Sequence, residues 1–176
     1  MRVLCLSSSL RPGNRTSAVT RIVADAVLRA GHPVDWLELA DVALEFCDAR
    51  PLEEYGEGMR AAAARVARAD AYVIGMPVYC YSVPGVLKNF IDVAAAGMAG
   101  KPFAVVAVAG GERSYLACAD LQRILQFEVS GVAFPRVVYA SDRHFDGRAP
   151  SPDTVAKLDA LGTDFAAWLP TARVGD

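Results

Sequence analysis

Short, continuous apolar runs alternate along this chain with longer stretches whose apolar residues recur at helical spacing. The first run, Val3-Leu4-Cys5-Leu6, lies in a strand expected over Arg2–Leu6. A helix is predicted over Thr16–Ala30, with Ala18, Ile22, Val23, Ala26, Val27 and Ala30 as its apolar positions and Gly31 as its stop. Pro33–Leu39 alternates at period two, the pattern of a half-exposed edge strand. Asp41–Gly58 is acidic and without period, and reads as an irregular connection. A helix over Met59–Ala69, a buried strand over Ala71–Met76 and a helix over Pro84–Ala95 follow. Phe103–Ala109 is the most apolar strand, as expected of one buried on both faces. A helix over Ser114–Val129, a strand over Ala133–Tyr139 and a helix over Pro152–Leu169 complete the series. Five strands separated by helices predict one α/β domain over residues 1–176. Its sheet is doubly wound and parallel, in the order 2-1-3-4-5, because parallel neighbours need right-handed crossovers.

That order makes strands one, three and four adjacent, so the loops leaving them converge at the edge where open α/β sheets bind ligands. The first loop, Ser7–Ser17, carries hydroxyls, an amide, a glycine and two guanidiniums just before a helix start. Unpaired first-turn N–H groups, the helix dipole and the arginine forks all favour a phosphate there. Ser9, Arg11, Asn14, Arg15, Thr16 and Ser17 are its candidate ligands. The second loop offers Pro77, Val78, Tyr79, Cys80, Tyr81 and Ser82, whose backbone donors and rings suit the edge and face of a flat heteroaromatic. The third, beginning Gly110-Gly111, permits close backbone approach. A phosphate beside a planar ring describes a mononucleotide cofactor, with FMN the leading candidate.

Composition narrows the partners. The chain has 176 residues, 53% hydrophobic, and a net charge of -2, so no electrostatic footprint points to nucleic acid or an anionic membrane. The N-terminal apolar run is too short for a secretory signal, and none approaches a membrane span. Four cysteines, widely spaced and without a C-x-x-C pair, read as reduced thiols of a cytoplasmic protein. Two distant histidines give a metal site no support.

The chain resembles the NADPH-dependent FMN reductase family of flavodoxin-like proteins. The first family motif is matched by Ser9, Arg11, Gly13, Asn14, Thr16 and Ser17. The second is matched by Pro77, Tyr79, Ser82, Gly85, Leu87, Lys88, Asn89 and Asp92, and the Gly-Gly turn by Gly110 and Gly111. The resemblance extends to about Tyr139. Tyr115-Leu116-Ala117 onward is similar to the branch that supplies flavin-dependent monooxygenases. It implies a flavodoxin-like fold, FMN at the three loops, and NADPH or NADH as hydride donor. It also implies a flavin or quinone acceptor, ping-pong kinetics without a catalytic protein side chain, and a homodimer or homotetramer. Val78 and Cys80 stand where many relatives carry polar residues, which shifts the implied ring contacts onto backbone.

Two rival readings carry different chemistry. A flavodoxin-like electron carrier would bind FMN without nicotinamide turnover, although dedicated carriers are commonly strongly acidic. The spacing Cys5-x5-Arg11 also fits a low-molecular-weight phosphatase loop with Cys5 as nucleophile. Against that, Pro12 follows Arg11 where a hydroxyl is expected, and no Asp-Pro pair supplies a general acid. Cys5 lies within the apolar run, where a thiol is inert.

Overall fold

The computed structural model describes residues 1–172. Strands β1 (Val3–Ser7), β2 (Val34–Glu38), β3 (Ala71–Pro77), β4 (Pro102–Val108) and β5 (Val132–Ala140) form one parallel sheet in the order β2-β1-β3-β4-β5. Helices α1 (Arg15–Arg29), α2 (Glu57–Arg68), α3 (Gly85–Ala94) and α4 (Ala117–Val129) are the crossovers, and α5 (Pro152–Trp168) packs back against α1. No helix among the described residues is long and apolar enough to cross a membrane.

Alternation along the central strands supplies two cores. Val3, Cys5, Val73, Ala104 and Val106 face α1 and α5, while Leu4, Leu6, Tyr72, Ile74, Phe103 and Val105 face α2, α3 and α4. Both faces being covered is why β1, β3 and β4 read as unbroken apolar runs. The α1 face uses small residues because the helix lies close to the sheet there. A Cβ on Gly75 would stand 1.9 Å from the Thr20 Oγ1 of α1.

Several expectations are refined. The last long crossover helix starts at Ala117, not Ser114. The Tyr139 hydroxyl donates to the Gly111 carbonyl and lies 2.9 Å from the Ser114 hydroxyl, holding the residues between in turns. The acidic connection is pinned, with short 3-10 turns at Leu39–Asp41 and Leu52–Glu54. There the Asn89 side chain donates to the Glu45 carbonyl at 2.8 Å and accepts from the Cys47 N–H at 2.8 Å. A small antiparallel hairpin, β6 (Phe145–Asp146) with β7 (Ala149–Pro150), follows β5 and was not legible in the sequence.

Candidate functional site

The three loops do converge. A cleft of about 400 Å³ is lined by Ser9, Arg11, Gly13, Asn14, Arg15 and Thr16 from the first loop and Pro77, Val78 and Tyr79 from the second. Val108, Ala109, Gly110, Asp142 and Arg148 close its other side. A second groove of about 360 Å³ is lined by Val78, Cys80, Tyr81, Ala109, Gly110, Gly111, Glu112, Arg113 and Ser114. Val78, Ala109 and Gly110 belong to both, so the two run together as one trough across the C-terminal ends of β1, β3 and β4. Its extent falls in the range of small-molecule sites.

The α1 end of the trough is built from unspent donors. Ser8 donates both its N–H and its hydroxyl to the Gly75 carbonyl, at 2.9 and 3.0 Å, which clamps the loop onto β3. Ser17 donates its N–H to Asn14 Oδ1 at 2.7 Å. Between these two residues no backbone N–H finds a protein acceptor among the described residues. Ser9 and Thr16 are buried residues on the cleft wall whose hydroxyls have no partner among the described groups. Gly13, at φ 59, makes the left-handed turn that lets the loop curl. Such a cradle of N–H groups, hydroxyls and guanidiniums at a helix N-terminus suits a phosphate monoester.

Not every candidate ligand faces the cleft. Ser17 does not line it; its hydroxyl lies 2.7 Å from that of Ser7 and ties β1 to α1. Asn14 lines the cleft but spends its side chain on capping, since its Nδ2 also donates to the Arg11 carbonyl at 2.8 Å. Arg15 lines it too, yet its guanidinium pairs with Asp142 at 2.5 Å, donates to the Gly147 carbonyl at 2.6 Å and lies over the Phe145 ring. Arg11 has no carboxylate partner among the described residues.

The other end is shaped by a tight turn. Tyr79 and Ser82 exchange backbone hydrogen bonds, with Cys80 at φ 50 and Tyr81 at φ 63 between them. Positive φ at both central residues marks a type I′ turn, which ordinarily selects Asn or Gly. Keeping Cys and Tyr there stores about 1–2 kcal/mol per residue, strain of the kind that collects at ligand sites. The turn leaves the N–H groups of Cys80 and Tyr81 without acceptors among the described residues and holds both tyrosines exposed, Tyr79 at 56% and Tyr81 at 66%. Ser82 points away and donates its hydroxyl to Asp120 Oδ2 at 2.8 Å, fixing the turn to α4. Gly111 has open space where a Cβ would stand, so a flat ring meets bare backbone on that side. Free backbone donors, exposed tyrosines and glycines fit the edge and faces of an isoalloxazine.

Cys5 has no part in this trough. It is fully buried, and burial, with Asp25 and Asp35 adding to it, pushes its thiol up to about 12. A thiol held neutral inside a core does not attack phosphate. The sequence reading missed Val108, Ala109, Asp142 and Arg148. Asp142 was findable in principle, because it lies just past the end of β5 at the binding edge. Arg148 gave no signal, since tertiary contacts place its hairpin.

A five-stranded parallel sheet in this order, with a trough across the C-terminal ends of β1, β3 and β4, defines a flavodoxin-like fold. Solved structures agree on the fold. The NAD(P)H:acceptor oxidoreductase FerB of Paracoccus denitrificans aligns with a TM-score of 0.79 at 21% identity, covering 98% of this chain and 99% of that one. An archaeal flavodoxin aligns at 0.67 and 15% identity, covering 97% of this chain and 99% of its own. The profile of the family described as NADPH-dependent FMN reductase matches residues 1–146. An NAD(P)H-dependent FAD/FMN reductase of Geobacillus thermodenitrificans is 34% identical over 150 residues, covering 83% of this chain and 80% of its own. A quinone reductase of Escherichia coli is 34% identical over 136 residues, covering 72% of this chain and 70% of its own. The chain belongs to the NADPH-dependent FMN reductase family.

Proposed function

We propose that this protein is an NAD(P)H-dependent reductase that holds FMN in the trough and reduces a free flavin or a quinone. The observation that carries the reading is the single trough, with unspent phosphate donors at one end and an open-faced flat site at the other. FMN, when bound, would supply the hydride and electron-transfer chemistry between NAD(P)H and the acceptor. The protein binds and orients. The first loop and the α1 N-terminus hold the phosphate through the Ser9 and Thr16 hydroxyls, the free N–H groups and the Arg11 guanidinium. The Tyr79–Ser82 turn and the Gly110-Gly111 backbone would frame the ring, with the open side of the trough accessible to donor and acceptor in turn. No side chain near the ring is required as acid, base or nucleophile. Four free cysteines support a cytoplasmic location.

The resemblance implies a homodimer or homotetramer, and the apolar faces of α3 and α4 bear on where copies would meet. Those apolar faces are spent on the core, through Leu87, Phe90 and Ile91 of α3 and Leu121 and Leu125 of α4. What remains outward is a groove of about 960 Å³ between α3 and α4, edged by Phe127, which is 87% exposed. Lys88 and Asp92 on one wall and Arg123 and Glu128 on the other give it both charge signs, which suits a second copy related by a two-fold axis. Exposed Tyr115 and Leu116, beside the ring end, are the surface that an acceptor or a monooxygenase partner would meet.

The test is steady-state oxidation of NADPH and NADH by the FMN-loaded protein, with free flavin and a quinone as acceptors. Ping-pong kinetics with either acceptor is expected. Tight FMN binding without turnover on any acceptor would instead make the protein an electron carrier.

A further inference from the structure

Two features at the phosphate end have separate explanations. Arg15, the natural sequence candidate for a phosphate ligand, is committed to the hairpin, through Asp142, the Gly147 carbonyl and the face of Phe145. Arg148, on the tip of that hairpin, lies on the cleft wall and has no carboxylate partner among the described residues. One of its Nη atoms stands 3.4 Å from where a Cβ on Gly13 would be, which puts its guanidinium directly against the turn of the phosphate loop. Residue 148 also lies past the segment 1–146 that the family profile matches.

The hairpin is a built support. Phe145 is buried at its base, and the Ser151 N–H donates to the His144 carbonyl at 2.9 Å, closing it where α5 begins. His144 is held by Ser141, whose N–H donates to its Nδ1 at 3.0 Å. Charge accounting points the same way. Arg11, Arg15 and Arg148 against Asp142 leave the cleft with two positive charges in excess. A phosphate monoester at neutral pH carries about 1.5 to 2 negative charges, which this excess matches.

We propose that Arg148 is a ligand of the FMN phosphate, closing the cleft opposite the first loop, and that Arg15 is the positioning strut that delivers it. The proposal rests on the flavin reductase reading and extends it by assigning a further residue that discriminates FMN from riboflavin. A charge-assisted, forked contact of this kind contributes about 10- to 100-fold in affinity.

The experiment titrates the apoprotein with FMN and, separately, riboflavin, following flavin fluorescence. Arg148→Gln is expected to weaken FMN about 10- to 100-fold and leave riboflavin unchanged, with Arg148→Lys recovering part of the loss. Arg15→Met is expected to weaken FMN too, partly by the same route, so the double variant loses less than the product of the two single losses. Amide hydrogen exchange over 145–150 should quicken in Arg15→Met and stay as in the wild type in Arg148→Gln. An Arg148→Gln protein that keeps the wild-type FMN-to-riboflavin preference overturns the assignment alone. A loss confined to NADPH, with NADH and FMN unaffected, also overturns it, because the phosphate recognised is then the dinucleotide's. A wild-type protein that binds neither flavin overturns the reductase reading and this assignment with it.

Discussion

Gly75→Ala tests how the sheet supports the phosphate loop. Gly75 lies on the α1 face of β3, opposite Ser7 of β1, and its carbonyl receives both bonds from Ser8. An added Cβ would stand 1.9 Å from Thr20 Oγ1, 3.0 Å from Thr20 Cβ and 3.1 Å from its Cγ2. An unstrained non-bonded contact needs about 3.5 Å, and rotating Thr20 only exchanges the hydroxyl for the methyl. The side chain is fully buried and its hydroxyl donates to the Thr16 carbonyl at 2.7 Å, so α1 itself must shift. Overpacking of this kind costs about 1–3 kcal/mol, and the lost hydrogen bond about 1 more. The sum, about 3 kcal/mol, lowers Tm by about 10 °C in a domain of this size. Because Thr20 lies one turn beyond Thr16 on the cleft wall, FMN affinity falls as well. Thermal unfolding and flavin titration of Gly75→Ala, Thr20→Ala and the double variant measure both effects. Thr20→Ala should absorb much of the clash, giving a coupling of about 2 kcal/mol. A Gly75→Ala protein within 2 °C of the wild type (~0.5–1 kcal/mol) would refute the reasoning, as would the absence of coupling.

Asn14→Ala removes the α1 cap and costs about 1 kcal/mol by chemical denaturation, whereas Asn14→Asp keeps the cap and sets a negative charge beside the phosphate. The Asp variant loses the Nδ2 bond to the Arg11 carbonyl but not the cap, so it should melt no lower than Asn14→Ala and bind FMN more weakly than the wild type; equal FMN affinity would contradict the phosphate placement. Converting the strained turn to Asn-Gly with Cys80→Asn and Tyr81→Gly should stabilise the apoprotein by about 1–2 kcal/mol. A stability unchanged in urea would show that the turn holds no strain. Cys5 should escape alkylation in the native protein while Cys47 and Cys80, both exposed, react, as mass spectrometry would report. Its thiol rises from 9.0 to about 12 on folding, so the stability it contributes is whole below pH 9 and is lost as pH rises toward 12. Urea unfolding should show a decline of up to about 1.4 kcal/mol per pH unit across that window, shallower in Cys5→Ala.

Legibility in the sequence followed the range of the interactions. Strand order, helix number and the meeting of three loops came from local periodicity and the crossover rule, and the sheet observed has that order. That Ser9, Arg11 and Thr16 line the cleft was legible because the loop between β1 and α1 lies at the binding edge of the sheet. The roles of Ser17 and Arg15 were not, since each is set by a partner distant in the chain or across the fold, Ser7 for one and Asp142 for the other. The Tyr79–Ser82 turn was hidden because its residues contradict the preferences of the turn they form. The hairpin carrying Arg148 has two-residue strands, too short for any period to appear.

The central claim is that one trough both holds FMN and presents it to a nicotinamide. Anaerobic mixing of the protein, loaded with one equivalent of FMN, with NADPH or NADH tests it most directly. The account predicts loss of the oxidised flavin's visible absorbance within seconds, without any added reductase. Flavin that stays unbound, or stays bound and oxidised until a separate reductase is supplied, would contradict it.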